Sequence, residues 1–249
     1  TTGQTAMADN AQVATIGNRW DNQRQFTGQI DDVRIYNRAL SATEIATLYR
    51  SGSKIENVGQ NNKLTNGLVG LWSFNGYDYN SASTTAEVLD RSGNNYNGDN
   101  IGATPTAGKV GQGLSFNGST NYVSAGSIYN TISSNLTISA WVKQNSFPDN
   151  AGEDVFPIAG KNNASTSPSY WFLATHTSTT SPSSNTGYLH LRFYNGTSGG
   201  NCSGGTLYSG QWHHVVGTRA NGTDMVIYID GQQVFSCNVD YGSVVNDAN

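Results

Sequence analysis

The chain has 249 residues, a formal net charge of −4, 29 glycines and only 12% charged residues. This length suits one large β domain or two small ones, and the abundant glycine suits short strands joined by polar turns. The negative charge without a basic cluster argues against nucleic acid as a partner, and no apolar run reaches the roughly 18 to 20 residues needed for membrane insertion.

The first predicted elements are two strands and a helix. Weak alternation of apolar and polar residues predicts a short strand at residues 12–17, and clear alternation of the same kind predicts a second strand at residues 29–36. Ser41 and Glu44 form the pattern of a capping box, in which the Ser hydroxyl and the Glu carboxylate satisfy free backbone N–H groups. We therefore expect a helix at residues 42–49.

Strand signals continue through the rest of the chain. Residues 136–143 alternate strictly between apolar and other side chains, as one strand of a two-layer protein does. Asn117-Gly118 and Asp230-Gly231 are each flanked by apolar runs, so both predict β-hairpins. Further strands are predicted at residues 68–74, 156–160, 170–174, 188–194, 212–218, 225–229 and 233–237. About a dozen short strands with one helix predict an all-β sandwich or jelly roll.

The two cysteines, Cys202 and Cys237, favour a disulfide. A zinc site would need further soft ligands nearby, and two buried free thiols are the alternative. A disulfide would indicate an extracellular or cell-surface location. The sequence starts at Thr1 rather than Met and shows no signal peptide, which is typical of a mature or excised segment.

Several segments carry motifs that belong together. Residues 67–76 read GLVGLWSFNG, and residues 26–41 read FTGQIDDVRIYNRALS. The other motif segments are residues 90–94, 108–118, 136–142, 212–218 and 228–231. In combination these segments resemble the laminin G-like, concanavalin A-like family of lectins and glucanases. The resemblance implies a concanavalin-like β-sandwich.

The order of these segments differs from the order in that family. In the family the segment resembling 26–41 closes the domain, whereas here it precedes the opening segment. We therefore divide the chain into closing strands and helix at residues 1–53, a linker at 54–66 and the main body at 67–249. The closing strand can pair within the chain through the linker or with a neighbouring subunit, and a tandem repeat cut at an arbitrary loop is a third possibility.

This order of segments suggests the leading functional hypothesis. The chain is expected to be a non-catalytic extracellular structural or adhesive protein, a subunit of a surface filament or tandem array joined by strand exchange with copies of itself. The alternative is a monomeric carbohydrate-binding or adhesion module with a glycan as its partner. A glycoside hydrolase is the third hypothesis.

Catalysis is not expected, and we predict no catalytic residues. A glycosidase needs two carboxylates on one face, but the chain has only four Glu and no strand with two acidic residues at alternate positions. The Glu-x-Asp-x-Glu strand of the related glucanases is absent. His213 and His214 are adjacent on a predicted strand and point to opposite faces, so they are interpreted as structural.

The family resemblance implies a structural calcium ion at Asp31. Asp78 and Asp90 are the candidate co-ligands, because Ca²⁺ prefers carboxylate and carbonyl oxygens. In the predicted strand, Asp31 shares a face with Val33, while Asp32 lies on the other face. The alternative is that these aspartates only form turns and caps.

Carbohydrate binding would need exposed aromatic rings that stack on sugar faces. The aromatic residues in or beside polar loops are Trp20, Tyr77, Tyr79, Tyr96, Tyr170, Trp171 and Tyr194. Of these, we select Trp20, Tyr77, Tyr79 and Trp171 as the candidates. Asparagines in Asn-x-Ser/Thr sequons are candidate glycosylation sites if the source glycosylates, and those expected in loops are Asn163, Asn195 and Asn221.

Overall fold

The computed structural model describes residues 13–18, 25–52, 63–126, 128, 134–147, 155–161, 169–177, 185–195 and 199–238. Trp20, Asn163 and residues 54–62 of the predicted linker lie outside these ranges. In the described part of the chain, no helix is long and apolar enough to cross a membrane.

The described residues form fifteen β-strands, one α-helix and one short 3-10 helix at Lys63–Thr65. The helix, α1, spans Ala42–Ser51. The strands are β1 Ala14–Ile16, β2 Thr27–Tyr36, β3 Leu68–Trp72, β4 Asp99–Ile101, β5 Thr104–Ala107, β6 Gln112–Asn117, β7 Tyr122–Ser124, β8 Leu136–Gln144, β9 Val155–Lys161, β10 Ser169–Thr177, β11 Thr186–Asn195, β12 Gly199–Tyr208, β13 His213–Ala220, β14 Asp224–Ile229 and β15 Gln232–Asn238.

The strands form two antiparallel sheets around one apolar core. The seven-stranded sheet has the order β12-β11-β10-β9-β1-β7-β4. The eight-stranded sheet has the order β15-β14-β13-β8-β2-β6-β5, and β3 also pairs with β2. Both sheets contribute buried side chains to the same core, so the predicted concanavalin-like β-sandwich is confirmed.

Strand β8 shows how the sequence specifies the two layers. Leu136, Ile138 and the alternate residues after them are buried in the core between the sheets. Ser139 and Trp141 point to the outer face of the eight-stranded sheet, where Tyr49 of α1 stacks on the Trp141 ring at 5.5 Å between ring centroids. Successive side chains of a strand point to opposite faces, so the alternation read from the sequence fixes both layers.

The first described segment, residues 14–51, contributes to the middle of both sheets. Strand β1 lies between β9 and β7 in the seven-stranded sheet. Strand β2 lies between β8 and β6 in the eight-stranded sheet and pairs also with β3. Every strand that pairs with this segment follows it in the chain, so all of its sheet contacts are long-range.

A β-bulge in β2 overturns the predicted facing of Asp31. Asp31 lies opposite Trp141 of β8, and Arg34 lies opposite Ser139, so three steps along β2 match two steps along β8. Asp32 takes up the extra residue with a φ of 49°. Asp31 is therefore on the outer face with Arg34, not on the core face with Val33. Asp32 and Arg34 form an ion pair at 2.9 Å.

Helix α1 covers part of the outer face of the eight-stranded sheet. It begins with the predicted capping box, in which Ser41 and Glu44 exchange hydrogen bonds. Ile45 and Leu48 are its buried residues. They belong to a second apolar cluster that includes Tyr36, Val216 and Tyr228 on the sheet.

The two predicted hairpins have different outcomes. Asp230 and Gly231 both have positive φ, and they join the paired strands β14 and β15, so this hairpin is confirmed. Asn117 and Gly118 connect β6 in the eight-stranded sheet with β7 in the seven-stranded sheet. The turn therefore links the two layers, and the prediction of a hairpin there was wrong.

The predicted disulfide is also confirmed. Cys202 on β12 is bonded to Cys237 on β15. These strands are at the edges of the two sheets, so the bond ties the layers together at one side of the sandwich.

Candidate functional site

The structure places the three predicted calcium ligands in different environments. Asp78 forms a salt bridge with Arg91, and its other oxygen accepts a hydrogen bond from the Ser73 hydroxyl. Asp90 accepts hydrogen bonds from the backbone N–H groups of Leu71, Ser92 and Tyr96 and thereby organises its loop. Both carboxylates are occupied by protein donors.

Asp31 is the exception, because one of its oxygens has no partner. It is fully buried, and its Oδ2 accepts the backbone N–H of Val110 at 2.8 Å. Its Oδ1 has no hydrogen-bond partner among the residues that the structure describes. Burial raises the pKa of Asp31 to about 7, and the nearby Asp32 carboxylate adds to the rise.

The predicted set of Asp31, Asp78 and Asp90 does not fit a calcium ion. Among the described residues no three His, Cys, Asp or Glu side chains come close enough together to hold a metal. Calcium binding at Asp31 alone stays a prediction.

The four predicted sugar-stacking residues are also dispersed. Trp171 is fully buried in the core between the sheets, so its ring cannot stack on a ligand, and this assignment was wrong. Tyr79 packs against the core, and its hydroxyl accepts a hydrogen bond from Asn100. Tyr77 is 95% exposed in the loop after β3. Trp20 lies outside the described residues.

The side chains next to Trp171 point the other way and form a second layer, in which Phe172 and His190 are buried and the other rings are half-buried. Strands β10 and β11 pair in register, with Tyr170 opposite Tyr194, Phe172 opposite Arg192, and His176 opposite Tyr188. The neighbours on β10, Trp171 and Leu173, are core residues, so this second set faces outward. We call this surface the aromatic face; its residues are Tyr170, Phe172, His176, Tyr188, His190, Arg192 and Tyr194.

The rings of the aromatic face stack along and across the two strands. The Tyr170 ring is stacked on Tyr194 at 5.3 Å and on Phe172 at 6.1 Å between centroids. His190 is stacked on Phe172 and on His176, each at 5.8 Å. Five rings therefore form one connected layer over the outer side of the seven-stranded sheet.

Polar groups lie within this layer of rings. The Arg192 Nε–H donates to the Tyr170 hydroxyl at 3.0 Å. His190 Nδ1 is hydrogen bonded to the Ser203 hydroxyl of β12 at 2.6 Å, while its Nε2 is buried without a partner. The His176 Nδ1–H donates to the Thr177 carbonyl. Burial lowers the pKa of His190 to about 3, and His176 and Arg192 contribute to this, so His190 is neutral at physiological pH.

The predicted structural role of the adjacent histidines fits their positions. His213 Nδ1 is hydrogen bonded to Asp230 at 2.8 Å, beside the β14–β15 turn. His214 is buried on the outer side of the eight-stranded sheet with Nε2 hydrogen bonded to Ser139, and burial lowers its pKa to about 4. The two side chains point to opposite sides of β13, as expected for a strand.

Two of the three glycosylation candidates fall within described residues. Asn221 is exposed in the turn between β13 and β14, and its side-chain amide donates to Asp224. Asn195 is the last residue of β11.

Proximity to polar loops singles out Tyr170 and Tyr194 but does not reveal the aromatic face as a whole. The signal that could have found it is the alternation within β11. There Leu189, Leu191 and Phe193 are core residues, and the residues between them are ring-bearing or basic. The same pattern in β10 separates Trp171 from Tyr170.

Comparison with known families agrees with the fold. A laminin G-type family model described as the concanavalin A-like lectin/glucanases superfamily matches residues 1–46 and 117–249. The chain therefore belongs to this family. No curated protein and no solved structure matches the chain. Laminin G-like domains are typically extracellular adhesion or carbohydrate-binding modules and are generally non-enzymatic, although the wider superfamily includes glycosidases.

Proposed function

We propose that the protein is a non-catalytic extracellular carbohydrate-binding and adhesion module whose ligand lies on the aromatic face. The observation that carries this proposal is the connected layer of five rings on β10 and β11. Sugar rings present C–H faces that pack on aromatic side chains, while polar groups at the edge bond their hydroxyls. Arg192 and the Tyr170 hydroxyl supply such polar groups here.

The absence of acidic residues from strands β9 to β12 supports binding rather than hydrolysis. Strands β9 to β12 contain no Asp or Glu. Hydrolysis of a glycosidic bond by the usual route needs two carboxylates flanking that bond. A saccharide held on these four strands would therefore find stacking partners and hydrogen-bond donors, but no acid–base pair on the strands themselves.

A glycan-binding assay on the intact protein tests the proposal. We expect binding to one class of glycan, with a loss of roughly tenfold or more in affinity for Tyr170→Ala and Tyr194→Ala, because each removes a stacking ring. Tyr77→Ala is the matched control, because Tyr77 is exposed but distant in sequence and lies in a loop. Failure to bind any glycan, or a loss with Tyr77→Ala alone, would contradict the assignment of the aromatic face.

A second candidate function is assembly by strand exchange between copies of the chain. The observation that favours it is the position of residues 14–51, which place β1 in the middle of one sheet and β2 in the middle of the other. The covalent connection from this segment to the strands that follow it runs through residues 53–62. The same pairing surfaces could therefore accept the segment from a neighbouring copy, which would link subunits into a filament or array.

An engineered disulfide distinguishes strand exchange between copies from strand pairing within one chain. Gln29 on β2 lies directly opposite Ser115 on β6, so cysteines at both positions would be close enough to bond. After oxidation, exchange between copies would give a covalent ladder on a denaturing gel without reductant. Pairing within the chain would give only a band at the mass of one chain. The single variant Gln29→Cys is the control for nonspecific crosslinking.

A further inference from the structure

The aromatic face carries positive charge within an acidic protein. The whole chain has 17 acidic and 13 basic residues, yet β9 to β12 contain no Asp or Glu. Arg192 supplies this charge, since its neighbour His190 on the same strand is neutral. The strands that would hold the ligand therefore lack the negative charge that characterises the chain as a whole.

The Arg192 guanidinium is held by Tyr170, and its terminal N–H groups can still donate hydrogen bonds. Its Nε–H bonds the Tyr170 hydroxyl, and its guanidinium carbon lies 5.7 Å from the centroid of the Tyr170 ring. Its two terminal nitrogens have no hydrogen-bond partner among the residues that the structure describes. A planar pair of N–H donors held in this way matches the two oxygens of a carboxylate or sulfate.

The surroundings of Arg192 favour an anion beside the sugar-stacking rings. The Tyr170 hydroxyl accepts from Arg192, which leaves its own O–H free to donate. His190 is 5% exposed and backs the face, and its unpartnered Nε2 lies within the ring layer. Beside this partly buried ring layer a charge-assisted hydrogen bond is stronger than it would be on an open surface.

We infer that the ligand of the aromatic face is an anionic saccharide, whose carboxylate or sulfate group pairs with Arg192 while its sugar ring stacks on Tyr170 and Tyr194. This inference rests on the proposed function and adds the chemical class of the ligand. Arg192 is the residue that determines specificity, and the two tyrosines supply affinity that does not depend on ligand charge.

The test is a panel in which each neutral oligosaccharide is paired with its uronate and its sulfated counterpart, measured with the intact protein at two salt concentrations. We expect the anionic members to bind at least tenfold more tightly, with the preference reduced at higher salt. Arg192→Gln should abolish the preference but keep the weaker binding of neutral members. Arg192→Lys should retain part of it, because the charge remains and the planar fork is lost.

Arg50→Gln is the matched control. Arg50 is an exposed residue of α1, on the opposite layer of the sandwich, and its loss changes the net charge by the same amount. An equal loss with both variants would indicate nonspecific attraction and overturn the inference, as would equal affinity for neutral and anionic members. Comparison of the uronate and sulfated arms identifies the group that Arg192 recognises. Binding to no member of the panel would reject the carbohydrate-binding function itself.

Discussion

Cys202 on β12 is covalently bonded to Cys237 on β15, so the outermost strands of the two sheets are joined at one side of the sandwich. The cysteines are 35 residues apart in sequence. Closing a loop of this length in the unfolded chain stabilises the folded state by about 3 to 4 kcal/mol in the chain-entropy model. We expect the double variant Cys202→Ala, Cys237→Ala to lose about this much unfolding free energy in urea denaturation.

The same experiment with reductant provides the control for the disulfide. Under reducing conditions the wild type should fall to nearly the stability of the double variant. A wild type that keeps its full stability after complete reduction would show that the bond contributes little to folding.

Asp31 should make the folded state more stable at low pH than at high pH. Burial raises its folded pKa to about 7, above its unfolded value of 3.8, so the folded state holds the proton more tightly. Its contribution is therefore fully present below about pH 4 and is lost as the pH rises through 7. Relative to Asp31→Asn, the wild type should lose on the order of 4 kcal/mol between pH 4 and pH 8.

Denaturant titrations of the wild type and Asp31→Asn across this pH range check the prediction for Asp31. The contribution of His214 to the stability of the folded state depends on pH in the opposite direction. Burial lowers the folded pKa of His214 to about 4, so this contribution is lost as the pH falls from about 6.5 to 4. In Asp31→Asn the acid-induced loss of stability should therefore be steeper than in the wild type. A stability difference that does not change with pH would contradict the assigned burial of the Asp31 carboxylate.

Calcium would act on Asp31 in the opposite direction to a proton. An ion bound at its unpartnered Oδ1 would hold the carboxylate ionised and stabilise the folded state by mass action. Melting temperatures of the wild type and of Asp31→Asn, each measured with calcium and with a chelator, test whether calcium binds at Asp31. If calcium binds there, the wild type should melt higher in calcium and Asp31→Asn should not respond. Asp78→Asn is the control, since Asp78 is already paired with Arg91.

Trp171 and Tyr170 are neighbours on β10 that should respond differently to truncation. Trp171→Ala removes a fully buried core side chain and should cost about 3 to 5 kcal/mol of unfolding free energy. Tyr170→Ala removes a half-buried ring from the outer face and should cost only about 1 kcal/mol. Denaturant unfolding of both variants measures this difference, and equal costs would contradict the assigned facing of β10.

The sequence predicted those features that depend on neighbouring residues. The capping box of Ser41 and Glu44, the turn at Asp230-Gly231 and the alternation of β8 each follow from local geometry. The disulfide could be predicted because the chain has only two cysteines.

The features that the sequence did not predict depend on pairing between distant strands. The facing of Asp31 changed because a bulge forms only when β2 meets β8. The turn at Asn117-Gly118 has the composition of a hairpin, but β7 pairs with β1 and β4 in the other sheet. The stacked layer of the aromatic face likewise depends on the register that brings Tyr170 opposite Tyr194.

Strands β1 and β2 precede all of their partner strands in the sequence, and this restricts the order in which the protein can fold. During synthesis these strands are made well before their partners: Ile16 pairs with Ala159, and Ile30 pairs with Val142. Contacts so distant in sequence form slowly, and until they form the backbone groups of both strands remain open to other chains. The new chain therefore passes through a period in which β1 and β2 must stay soluble without their partner strands, and growing chains close to one another would compete for the same strands.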